Sequence, residues 1–173
     1  MSDRADAGGR TGRLIDGCID CVDRCGELLN GMPGEVFASR GDGSSSIGAH
    51  VRHIVDRYQC VLNGLEVGCI DYDDRKRGTS VETDVRVAAG ALAETRGRFE
   101  NLDLDACGAE ISVRELVHYN GEPTVAASTL DRELMGLITH SIHHLAIIAM
   151  IARSASFSVP PNLGKAPSTI AAE

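Results

Sequence analysis

The sequence predicts an all-α four-helix bundle with a short β-hairpin before the last helix. Three observations carry that expectation. Four stretches place apolar residues at helical spacing, segments rich in glycine and proline separate them, and two histidine clusters fall where bundle helices would face the interior. At 173 residues the chain is about one domain's length, 1–173, and can bury roughly two-thirds of its unfolded surface without disulfide staples. Residues 1–10 are expected to be disordered and 155–173 to form an irregular tail.

The first helix is expected from about Thr11 to Asn30, ending at the breaker G-M-P-G. Leu14, Cys18, Cys21, Cys25, Leu28 and Leu29 follow one helical stripe, while Asp16, Asp20, Asp23, Arg24 and Glu27 mostly face out. The three thiols therefore read as core residues. A thiolate metal site or redox pair would need an electropositive setting that the flanking aspartates do not provide. Cys60, Cys69 and Cys107 show no ligand spacing.

The second helix opens after Ser44–Ser46, a serine N-cap, and continues through Ile47, Val51, Ile54, Tyr58, Val61, Leu62 and Leu65. His50, His53 and Arg57 share one side of it. The third, about Ser80 to Asn101, is rich in alanine and charge and starts at T-S-V-E-T-D, a capping pattern. Alternating apolar residues on either side of Asn120-Gly121 then signal a two-stranded hairpin with a tight turn. The fourth helix begins near Ser128, with Asp131 three residues on, and runs to about Ser154.

That last helix holds the most telling residues of the chain. His140, His143 and His144, half of the six histidines, interrupt the apolar run Leu134–Ile151. Imidazoles are costly to bury without partners, and a separation of four puts His140 and His144 on one helical face about one turn apart. The cluster A-H-V-R-H-I at Ala49–Ile54 offers a third ligand in His50 or His53. Imidazole ligands at this spacing suit Zn, Ni or Fe. Ordinary hydrogen-bonded core histidines are the plainer alternative.

Charge and hydropathy narrow the rest. Seventeen basic against 25 acidic residues leave −8, which disfavours a nucleic-acid partner. The N-terminal residues lack the apolar run of a signal peptide, and three histidines break the apolar helix, so neither export nor a membrane partner is expected and a cytoplasmic protein is.

The pairing of A-H-V-R-H-I with H-S-I-H-H, together with Y-D-D-R-K-R-G at Tyr72–Gly78, the following S-V-E-T-D and the tail L-G-K-A-P-S-T, resembles the DinB-like superfamily of bacterial four-helix proteins over about Leu14 to Ile170. The resemblance implies an up-down-down-up bundle. It also implies a metal triad of His53, His140 and His144, with His50 and His143 as neighbours. Related branches carry out thiol-transferase or thiol-dependent isomerase chemistry, so it further implies a low-molecular-weight thiol as a candidate co-substrate.

Three imidazoles leave at least one open position on an ion, the mark of a catalytic rather than a structural site. A water or thiol there loses its proton near neutral pH. The expected activity is thus that of a metal-dependent transferase or hydrolase acting on a small anionic substrate, within a homodimer. Arg57, one turn after His53, is expected as an anchoring group beside Asp56 and Tyr58. Arg77, in a loop with Arg75 and Lys76, is expected to fold over the metal mouth and grip a carboxylate. Glu133 is a second partner for such an arginine. The plainer reading of this loop is a solvated one with ion pairs among Asp73, Asp74, Arg75 and Arg77. A non-catalytic dimeric stress-response or ligand-binding bundle with a structural or vestigial metal site is the alternative function.

Overall fold

A computed structural model describes residues 2–40, 45–103 and 110–173, with side chains from Gly9 onward. Ser44 and Cys107 lie outside the described residues. Four long helices build the molecule: α1 (Ser2–Leu29), α3 (Ile47–Val67), α4 (Val85–Glu100) and α5 (Leu130–Ser154). Two short ones, α2 (Gly34–Ala38) and α6 (Pro167–Ile170), flank them. α1 and α3 each pack along both α4 and α5, so those two face one another across the core. α1 begins at Ser2, within the segment 1–10 that was expected to be disordered.

Tyr58 ties the four helices together. Its fully buried ring meets Phe99 of α4 edge-on at 5.2 Å, its hydroxyl donates to the Cys18 carbonyl of α1 at 3.3 Å, and Ser141 of α5 donates to it at 3.1 Å. Tyr58 thus follows the apolar stripe of its helix: it is one residue past Arg57, and that step of about 100° turns it into the core and away from the histidines. Cys18, Cys21 and Cys25 are buried and free, as the stripe predicts. Their thiols are pushed up to about 12, 11 and 12, chiefly by burial.

Local chemistry sets the helix ends. Ser46 caps α3, accepting from the Ala49 N–H at 3.0 Å, and Gly68 closes it at a positive φ of 74°. The chain can then fold straight back because Gly64 is bare: a Cβ there would stand 2.6 Å from the Ile70 Cα. α4 starts later than predicted. Thr79–Glu82 forms a single 3-10 turn over Ser80–Glu82, because Glu82 is drawn from the capping role into ion pairs with Arg52 of α3 at 3.0 Å and Arg40 at 2.9 Å. Asp84 caps α4 instead. Thr129, not Ser128, caps α5.

The expected hairpin is a three-stranded sheet, ordered β1 (Cys69–Asp71), β2 (Ile111–Glu115), β3 (Thr124–Ser128). β2 and β3 pair antiparallel from Ile111↔Ser128 to Glu115↔Thr124, and β1 joins β2 in parallel from Cys69↔Ser112 to Asp71↔Arg114. Asn120-Gly121 lies in a longer connection, 116–123, rather than a two-residue turn. Tyr72 follows β1 directly, its N–H donating to the Arg114 carbonyl at 2.9 Å, and so stands in the wall of the cleft beside α5. α5 is long and apolar enough to cross a membrane, but here it is a bundle helix packed on α1 and α3.

Candidate metal centre

α3 and α5 lie side by side and bring His53, His140 and His144 together, all half-buried. One ring nitrogen from each falls within 4.8 Å of the others, the single such grouping of potential ligands among the described residues. Ring centroids lie 4.8 Å (His53–His140), 4.6 Å (His53–His144) and 4.5 Å (His140–His144) apart, each pair close to edge-on. The three sequence-predicted ligands thus converge.

Electrostatics keep them neutral. Burial first, then the Arg75 cation and the neighbouring rings, pulls His53 down to about 3. Burial likewise pulls His140 and His144 down to about 4, aided by Arg57 at His140 and by His140 itself at His144. An imidazole must be neutral to ligate, so burial holds the three rings in the charge state that ligation needs. His50 completes it from behind. Its Nδ1 lies 2.9 Å from the His144 Nδ1, leaving the His144 Nε2 free to face an ion.

The donor set fits a divalent ion with modest adjustment. His53 Nε2 and His140 Nε2 are 2.7 Å apart, whereas donors at about 2.0–2.1 Å on a tetrahedral ion stand roughly 3.3 Å from one another, so small ring rotations open the space. One contact opposes loading. Arg75 Nη2 donates to the His53 Nδ1 at 2.5 Å.

The other predicted residues divide. Arg57 reaches the site: its guanidinium lies over the Tyr72 ring, 3.5 Å from the centroid, and pairs with Glu115 on β2 at 2.7 Å. Asp56 turns to Arg52, 2.5 Å away, rather than to the histidines. Of the loop cations, Arg75 folds inward onto His53, but Lys76 and Arg77 are exposed. Asp73 accepts from the Leu116 N–H at 2.7 Å, which fastens the loop to the sheet instead of pairing within it. Glu133 takes no loop arginine. It accepts from the Tyr72 hydroxyl at 2.6 Å and the Ser128 hydroxyl at 2.5 Å.

Beside the triad lies a cleft of about 590 Å³ between α3, α5 and the sheet, with His140, His143, Arg57 and Tyr72 in its wall. Sequence reasoning missed Tyr72 and Ser128 as site residues. Tyr72 opens the Y-D-D-R-K-R-G motif, but only the tertiary pairing of β1 with β2 reveals where its ring lies. A cleft of similar volume, about 600 Å³, around Leu62, Arg98 and Leu102 gathers no ligand set.

Solved structures share this architecture, among them two from Bacillus subtilis. The DinB-like protein YjoA of Bacillus subtilis superposes with a TM-score of 0.63 at 17% identity, covering 89% of this chain and 99% of that one. The chain has the DinB-like fold. YfiT of Bacillus subtilis, described as a probable metal-dependent hydrolase with an unusual four-helix bundle topology, matches with the same TM-score and identity over 86% of this chain and 89% of its own. No family model matches the chain, nor does any curated protein. Within the DinB-like fold, the histidine cluster is the feature suited to metal.

Proposed function

We propose that this chain is a metal-dependent enzyme, a hydrolase or transferase, that holds one divalent ion (Zn, Ni or Fe) on His53, His140 and His144 and acts on a small anionic substrate. The observation that carries this reading is the convergence of three neutral imidazoles at the wall of a cleft sized for a small molecule. The shared fold of YfiT supports the reaction class. When bound, a divalent ion with a free position supplies the acidity that makes water or a low-molecular-weight thiol a nucleophile near neutral pH.

The chain's own residues supply position and charge. Arg57, held between Glu115 and the Tyr72 ring, anchors the anionic group close to His140. His143, exposed in the cleft wall next to His144, offers an imidazole to a bound substrate. Arg77, exposed beyond Arg75 on the loop, adds positive charge that draws anions toward an acidic protein. The enzyme works in the cytoplasm as a homodimer, and the elution volume of the purified protein tests that state. The reaction class is tested by metal analysis of the purified protein, followed by ester and amide hydrolysis and thiol-transfer assays with and without chelator. Activity should vanish with chelation, return with one metal, and be absent in His140→Ala. Turnover indifferent to both chelator and His140→Ala would overturn the reading.

A further inference from the structure

We propose that the cleft beside the histidines is an oxyanion site, in which Arg57 and Arg132 hold a carboxylate or phosphate group and Tyr72 with Glu133 fixes Arg57 for that task. The inference deepens the metal-enzyme reading and rests on it for its link to catalysis, but not for binding itself.

Arg57 is engaged on one corner only. Nη1 donates to Glu115, and the Tyr72 ring covers one face of the guanidinium. Nε is buried and has no acceptor, and no described residue takes Nη2. Nε and Nη2 form the side-on fork that matches the two oxygens of a carboxylate or phosphate. A buried N–H without an acceptor is costly, and a ligand oxygen relieves that cost. A guanidinium carries donors only, so the fork can be met only by an acceptor.

The support under Arg57 is itself pinned. Both oxygens of the buried Glu133 are occupied, one by the Tyr72 hydroxyl and one by the Ser128 hydroxyl. Tyr72 therefore cannot tilt without losing its hydrogen bond, and burial together with Glu133 keeps its phenol protonated. Arg132 comes from the opposite wall, one residue before Glu133 on α5. Its Nη1 lies 3.1 Å from where a Cβ of Gly136 would stand, so the bare glycine gives that side chain room along the helix. Glu115 and Glu133 balance the two arginines in charge. Selection therefore comes from the free fork and its geometry rather than from accumulated positive charge. His140 shares this wall, which places a bound oxyanion next to the proposed metal ligands.

The test uses chelated protein, so that metal plays no part. Inorganic phosphate and succinate are titrated separately by calorimetry at fixed ionic strength, with chloride as control, and the tighter of the two identifies the oxyanion. Wild type should show saturable binding of at least one. Arg57→Lys keeps the charge and loses the fork, and should weaken binding by roughly tenfold or more while leaving metal content unchanged. Tyr72→Phe, which cuts the tie to Glu133 but keeps the ring, should weaken it less. Arg132→Gln provides a second variant should Arg57→Lys fold poorly, and it too should lower affinity. No saturable binding beyond chloride, or affinities unchanged in both arginine variants, overturns the proposal. Oxyanion binding by a wild type that also purifies without metal and takes up none of the supplied divalent ions leaves this site standing and removes the metal reading instead.

Discussion

Two helix faces in this molecule carry rows of potential metal ligands, and burial acts on them in opposite directions. On α1, Cys18, Cys21 and Cys25 are pressed into the core, with Cys18 donating to the Leu134 carbonyl at 3.6 Å. On α3 and α5, the histidines stand half-buried at a cleft wall. Desolvation favours the neutral form of either group. For a thiol that form is the weak ligand, and for an imidazole it is the strong one. The same physical force thus silences one row and arms the other, although both follow apolar helical stripes.

The sharpest break of this comparison is at the ligands. His53→Ala, His140→Ala or His144→Ala should each remove stoichiometric metal, with affinity falling by more than ~100-fold, beyond what loss of a supporting partner causes. Changing Cys18, Cys21 and Cys25 together to alanine or valine should leave metal content intact by elemental analysis. Loss of metal from the cysteine variant would reverse the assignment of the two rows. His50→Ala should weaken binding by about 10–100-fold, because the His144 Nδ1 loses its partner. His143→Ala, whose ring is exposed, should retain the metal.

Within the cysteine row the informative change is Cys25→Ser. The site is fully buried, so a hydroxyl there should cost about 1–3 kcal/mol unless it finds a partner. Urea unfolding measures it. A neutral result would mean that this face of α1 is more open than a core stripe.

How much of this was legible in the sequence follows the range of the interactions. Helical periodicity is local, so the cysteine stripe, Ser46 as the α3 cap and the H-x-x-x-H face of α5 could be read directly. Tertiary choices could not. β1 is three residues long and shows no alternation, so nothing announced its parallel pairing with β2 or the placing of Tyr72 under Arg57. Glu82 fits a capping pattern but finds a stronger partner in Arg52, thirty residues back along the chain on α3. Arg75 and Arg77 look equivalent in the motif, and only packing of the loop on α3 turns one onto His53 and leaves the other in solvent.

Acid should separate the two rows as well. Histidines in the unfolded chain protonate near 6.5, whereas His53, His140 and His144 in the fold resist protons until about 3, 4 and 4. Between those values the unfolded state binds protons that the native state refuses, so stability of the chelated protein falls as pH drops below 6.5. Above 6.5 both states are neutral and these residues contribute no slope. The thiols, raised to 11 and above, contribute nothing in this window. The urea midpoint should therefore decline between pH 6.5 and 5, and replacing the three histidines with asparagine should flatten that decline. An unchanged slope in the variant would show that the rings are not kept neutral by the fold.

The smallest effect concerns Arg75, the one contact that works against an armed histidine row. A guanidinium can only donate, so the His53 Nδ1 must accept from it and carry no proton. The proton of neutral His53 then sits on Nε2, the nitrogen that faces His140 and would have to bind an ion. Loading through Nε2 requires the proton to move to Nδ1, which cannot happen while Arg75 points there. Arg75 has somewhere to go, since its Nε already lies 3.9 Å from the Asp56 carboxylate. Arg75→Ala removes both the competing hydrogen bond and a nearby cation. Metal affinity in a competition assay should rise by roughly three- to tenfold, a modest gain because the net worth of one hydrogen bond is modest. A fall in affinity would mean that Arg75 holds His53 in place for the metal rather than away from it.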